Sequence, residues 1–163
     1  MPVPKTDLAK SHGFSNEMNV MSKVFVDTNI LVYAADSKAG DARKRQIARE
    51  VTMLPHLHLS VQVLNEFIAV ARNPKKLNLS REEESKWLRE WFSLKIGSIT
   101  PETFQKALEF HLRLQLSHWD ALIVASALEA SCNIIYTEDL QHDQIIDGLR
   151  VINPFLTSNV SLD

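Results

Sequence analysis

Val24-Phe25-Val26-Asp27-Thr28-Asn29-Ile30-Leu31-Val32-Tyr33 changes character twice within a few residues. Three apolar residues of high β preference come first. Asp27, Thr28 and Asn29 then supply turn and helix-capping groups, and Ile30 to Ala34 reads as the start of a helix. A strand that passes into a helix across an acidic turn opens a βα unit, and the rest of the chain repeats the alternation. Leu57–Leu59 predicts a second strand, after which Ser60 caps a helix over Val61–Arg72 with Val63, Leu64, Phe67, Ile68 and Ala71 at helical spacing. Further strands are expected at Ile96–Ile99, Asn133–Tyr136 and Arg150–Ile152. Helices are expected at Ala42–Leu54 (stopped by Pro55), at Arg81–Phe92 behind a Ser80/Glu83 capping box, from Pro101 to about Leu114, and at Trp119–Ala130 after Ser117. Short apolar strands alternating with helices imply a mainly parallel sheet covered on both faces. Sites in such folds gather at the carboxyl ends of the strands.

The length of 163 residues suits one domain, and a hydrophobic content of 45% can fill its core. That domain is expected at residues 21–156, with a flexible tail at 1–20 and another at 157–163. Met18 or Met21 would serve as an alternative start. Cys132 is the only cysteine, which excludes an intrachain disulfide and a cysteine-built zinc cage, and fits a reducing compartment. The opening residues carry no signal-peptide core, and the apolar stretch Ala121–Leu128 is too short to span a bilayer, so a cytoplasmic location is the default. The net charge of −2 is not that of a protein held to nucleic acid by phosphate contacts alone. Two divalent ions in an acidic site would raise it to +2.

The acids supply the chemistry. Asp27 and Asp139 each follow a strand directly, Glu66 lies in the helix after the second strand, and Asp120 lies in the first turn of the helix before the fourth. A parallel sheet carries all four toward one rim. At an effective dielectric of ~20, two like charges ~4 Å apart repel by about 4 kcal/mol, so such a cluster either takes up protons or holds a cation. All-oxygen donors suit Mg2+ or Mn2+. One ion activates water, and two about 4 Å apart clamp the attacking and leaving oxygens of a phosphodiester. Each acid also has an ordinary use: Asp27 and Asn29 as helix caps, Asp120 in a capping box with Ser117, Asp139 in a turn, Glu66 on a solvated helix face.

Val24–Tyr33, Leu64-Asn65-Glu66, Trp119–Ala127 (W-D-A-L-I-V-A-S-A) and Tyr136–Leu140 (Y-T-E-D-L) resemble, in order, the motifs of PIN domains, over about Ser22 to Phe155. The resemblance implies a three-layer α/β/α sandwich whose acids are Asp27, Glu66, Asp120 and Asp139, supported by Asn29 and Thr137. It also implies RNA cleavage with Mg2+ or Mn2+. The chain looks most like VapC-type ribonuclease toxins, which implies an RNA substrate, a homodimer and a cognate antitoxin protein. Asp143 is an additional candidate metal ligand or an ordinary surface acid, with the surface role favoured.

Arg43, Lys44, Arg45 and Arg49, and Arg72 with Lys75 and Lys76, are candidate RNA-backbone contacts or else a solvated helix face and loop. His56 and His58 lack a third nitrogen or sulfur ligand and are read as strand-edge residues; His118 points elsewhere on its helix. Asp36, Asp41 and Asp147 show no role beyond loop solvation. Trp87 and Trp91, one helical turn apart with Leu88 and Phe92 beside them, read as core, or as a partner surface if exposed. Two other functions compete: a vestigial domain that only binds RNA or a partner, and a haloacid-dehalogenase-type phosphatase. The latter needs an aspartate two residues after Asp27, where Asn29 stands.

Overall fold

The computed structural model describes residues 22–38 and 40–156. The expected tails, and the alternative starts Met18 and Met21, lie outside them. The elements run β1 (Val24–Val26), α1 (Thr28–Ala35), α2 (Ala42–Thr52), β2 (Leu57–Ser60), α3 (Val61–Ala71) and α4 (Arg81–Trp91), then β3 (Lys95–Gly97), α5 (Pro101–Leu114), α6 (His118–Glu129), β4 (Ile134–Tyr136), β5 (Ile145–Ile146) and β6 (Leu149–Ile152).

The sheet has the order β3-β2-β1-β4-β6-β5, and only the β5–β6 pair is antiparallel. Every residue of β1, β2 and β4 is buried, which a strand achieves only when helices cover both faces. The connections from β1 to β2 and from β2 to β3 step one way along the sheet. The connection from β3 to β4 steps back across two strands. Right-handed crossovers therefore place α1–α4 on one face and α5–α6 on the other. The packing agrees: α1 lies against α2 and α3, Trp91 of α4 meets Phe67 of α3 edge-on, and α5 lies along α6. The three-layer arrangement expected from the sequence is present.

The chain order reverses between β1 and β4, the switch point where parallel sheets open a crevice. α1 and α3 leave the carboxyl ends of β1 and β2, so their N-termini lie at that rim. α6 runs back from the rim into β4, so its N-terminus lies there too.

Four expectations need correction. His58 is not at a strand edge: β2 lies between β3 and β1, His58 is buried, and burial pushes its imidazole below the ordinary range. Asp41 caps α2 by accepting from the N–H groups of Arg43 and Lys44. Asp36 caps the end of α1, where its backbone N–H donates to Val32 and Tyr33. Asp147 and Gly148, with φ of 48° and 92°, form the tight turn of a β5–β6 hairpin that the strand assignment lacked. Trp91 is core, with Trp87 stacked on it at 5.4 Å between ring centroids, while Phe92 is exposed.

Candidate active site

Val26 pairs with Tyr136 in the β1–β4 ladder, so the next residues, Asp27 and Thr137, stand side by side at the rim. The Asp27 N–H continues the ladder to the Tyr136 carbonyl at 3.1 Å. The residue is 5% exposed and its carboxylate takes three donors. Oδ1 accepts from the Thr28 N–H at 2.5 Å, capping α1, and Oδ2 accepts from Thr137 Oγ1 at 2.6 Å and Asn29 Nδ2 at 3.1 Å. The cap and the candidate site are the same contact.

Asn29 joins the second acid to the first, because Nδ2 also donates to Asp139 Oδ2 at 2.9 Å. Thr137 Oγ1 accepts from the Asp139 N–H at 3.1 Å and fixes the turn after β4. The third acid is held from two sides. Glu66 Oε2 accepts from Thr28 Oγ1 at 2.9 Å, and Oε1 accepts from Gln62 Nε2 at 2.8 Å. Thr28 thereby bridges Asp27 and Glu66.

Asp120 is the outlier. It sits at the N-terminus of α6, where its N–H donates to Ser117 Oγ and its Oδ2 accepts from that hydroxyl at 2.6 Å. Its link to the others runs through Gln62, whose Nε2 also reaches the Trp119 carbonyl at 3.3 Å. Among the described residues no group of three or more acids, histidines or cysteines is placed to hold a metal ion with the side chains as they stand.

The electrostatics follow from this burial. Desolvation pushes the Asp27 carboxyl up to about 7; hydrogen bonds from Thr137 and Thr28 oppose the rise, and the charges of Asp139 and Glu66 add to it. Two buried amide oxygens, Asn29 Oδ1 and Gln62 Oε1, have no hydrogen-bond partner. Both belong to side chains whose nitrogens brace the acids. Carboxylate oxygens are hard donors, the ligand chemistry that Mg2+ or Mn2+ takes.

An open cleft of about 450 Å3 adjoins the acids, lined by Thr28, Asn29, Asp139, Tyr33, Lys76 and Glu138. Of the basic residues singled out in the sequence, Lys76 alone lines it. Lys44 is engaged with Glu138 and Tyr33, Arg45 staples the loop after α1 through the Asp36 and Lys38 carbonyls, and Arg49 holds the Ala34 carbonyl. Arg72 forks onto Glu84. Arg43 and Lys75 are exposed. Asp143 is exposed and its carboxylate is taken by Arg150, which holds it below the usual range, so its surface role prevails over the ligand role. Thr28 and Gln62 are site residues that the sequence reading passed over. Gln62 lies one helical turn before Glu66, a spacing that could have flagged it.

The sequence matches the profile of the PIN domain family over residues 24–147. No curated protein sequence matches the chain. Solved structures share its fold at low identity. A toxin–antitoxin complex from Klebsiella pneumoniae aligns at TM-score 0.61 and 21% identity, covering 82% of this chain and 98% of that one. VapC20 of Mycobacterium tuberculosis, described as a sarcin-ricin loop cleaving toxin, aligns at TM-score 0.57 and 21% identity, covering 72% and 90%. VapBC2 from Rickettsia felis, bound to promoter DNA, aligns at 0.54 and 21% identity, covering 78% and 96%.

Proposed function

Because the chain belongs to the PIN-domain family, we propose that it is a metal-dependent endoribonuclease and the toxin of a toxin–antitoxin pair. The observation that carries this reading is the buried Asp27 carboxylate, tied to Asp139 through Asn29 and Thr137 and to Glu66 through Thr28. Asp27, Glu66, Asp120 and Asp139 would hold one or two Mg2+ or Mn2+ ions, which supply a water of lowered pKa and neutralise charge on the phosphodiester. Asn29 and Thr137 keep the Asp27 and Asp139 oxygens in place, and Gln62 does the same for Glu66. Lys76, at the mouth of the cleft, offers a cation to a backbone phosphate.

The toxin and antitoxin roles rest on the likeness to VapC20 and to the Klebsiella complex. A second copy has a surface to bury on α5, which exposes Phe104, Leu108 and Leu112 one turn apart. No helix among the described residues is long and apolar enough to cross a membrane.

RNA cleavage by the purified chain with Mg2+ or Mn2+ tests the proposal. The expected result is cleavage abolished by chelation, by Asp27→Asn and by Asp120→Asn, with circular dichroism unchanged. Cleavage that survives both substitutions would place the chemistry elsewhere.

A further inference from the structure

Trp119 occupies the second position of α6, directly before Asp120, and the residue is 62% exposed. Helix geometry gives no reason for an indole there. Ser117 already caps the helix, and an acid or small polar residue at that position would suit the helix dipole better. The residues after Asp120, from Ala121 to Ala127, are all buried, so Trp119 is the apolar residue of this helix left outside the core. Its ring meets His118 edge-on at 5.6 Å, and His118 meets Phe104 at 5.3 Å.

Its backbone is tied to the acids, since Gln62 Nε2 spans Glu66 Oε1 and the Trp119 carbonyl. The fold sets it on the side of the rim opposite the Lys76 cleft. That cleft opens between α1 and the end of α3, on one face of the sheet, and α6 reaches the rim from the other face. The Lys76 cleft and the start of α6 thus approach the acids from opposite faces of the sheet.

Resting on the nuclease reading, we infer that Trp119 is a stacking platform for an unpaired base beside the phosphate held at the acids. Every base has a π face, so such stacking is tolerant of sequence, and only a base outside a duplex can present that face.

The test is binding of a short labelled single-stranded RNA, and of the same sequence as a duplex, to the wild type, Trp119→Ala and Trp119→Phe in Ca2+. Truncation to alanine should weaken single-strand binding about tenfold, phenylalanine should restore most of it, and duplex binding should not change. Single-stranded RNA should quench the indole emission of the wild type and lose that quenching in Trp119→Phe. Equal single-strand affinity in Trp119→Ala would overturn the platform. So would a changed oligomeric mass in that variant, which would assign the indole to a protein contact. A wild type that cleaves RNA while Trp119→Ala binds normally sinks the platform alone. A wild type that binds through Trp119 and never cleaves sinks the nuclease reading alone. A wild type that neither binds nor cleaves RNA removes both.

Discussion

Asp27 holds three donors and is nevertheless pushed up to about 7, because burial and two neighbouring acids outweigh the hydrogen bonds. Its unfolded value is 3.8, so between about pH 4 and 7 the folded chain keeps a proton that the unfolded chain releases. Without divalent ions, the stability associated with that proton is complete below about pH 4 and is lost as pH rises to about 7, a swing of roughly 4 kcal/mol. Thermal melts of metal-free protein should show the wild type losing stability across that window relative to Asp27→Asn. Parallel pH profiles for the two proteins would mean that the carboxylate is ionised throughout. Asp27 was recognisable in the sequence from its place at a strand end. Its burial was not, because burial depends on β4 bringing Thr137 against it from 110 residues away in the chain.

Among the elements, the turn after β4 is secured by α1 and α2 together. Lys44 donates to Glu138 at 2.5 Å and to the Tyr33 hydroxyl at 3.0 Å, Tyr33 donates to Glu138 at 2.7 Å, and the ammonium lies over the Tyr33 and Phe155 rings. Lys44→Ala should destabilise the fold by about 1–2 kcal/mol in chemical denaturation, with RNA affinity unchanged. Lost affinity at full stability would restore Lys44 to its sequence-based role as an RNA contact. At the other end of the sheet, Gly148 turns the β5–β6 hairpin at a φ of 92°, and an added Cβ would meet nothing within 4 Å. Gly148→Ala should therefore cost about 1 kcal/mol from backbone conformation alone, and an unchanged melting temperature would refute that origin. The Asp-Gly pair between Ile146 and Leu149 was a readable hairpin signal; the short Ile145–Ile146 strand hid it. Asp41, just before the helical run of α2, was a readable cap in the same way.

For the molecule as a whole, the alternation of strands and helices was legible because three-residue apolar strands and capped helices carry local signals. Sheet order was not, since nothing local in Lys95–Gly97 or Ile134–Tyr136 says that the chain recrosses β2 and β1 between them. That recrossing brings Asp139 beside Asp27 and carries the start of α6 to the same rim. Linear order alone suggested four equivalent acids. The fold yields a linked trio, with Asp120 joined through Gln62 and the Trp119 backbone. What remains decisive is whether this rim holds a divalent ion. Calorimetric titration of Mn2+ into the wild type and Asp27→Asn measures it directly. The expected result is binding by the wild type that weakens by at least about tenfold in Asp27→Asn; Mn2+ bound equally by both proteins, or by neither, would contradict a metal centre at these acids.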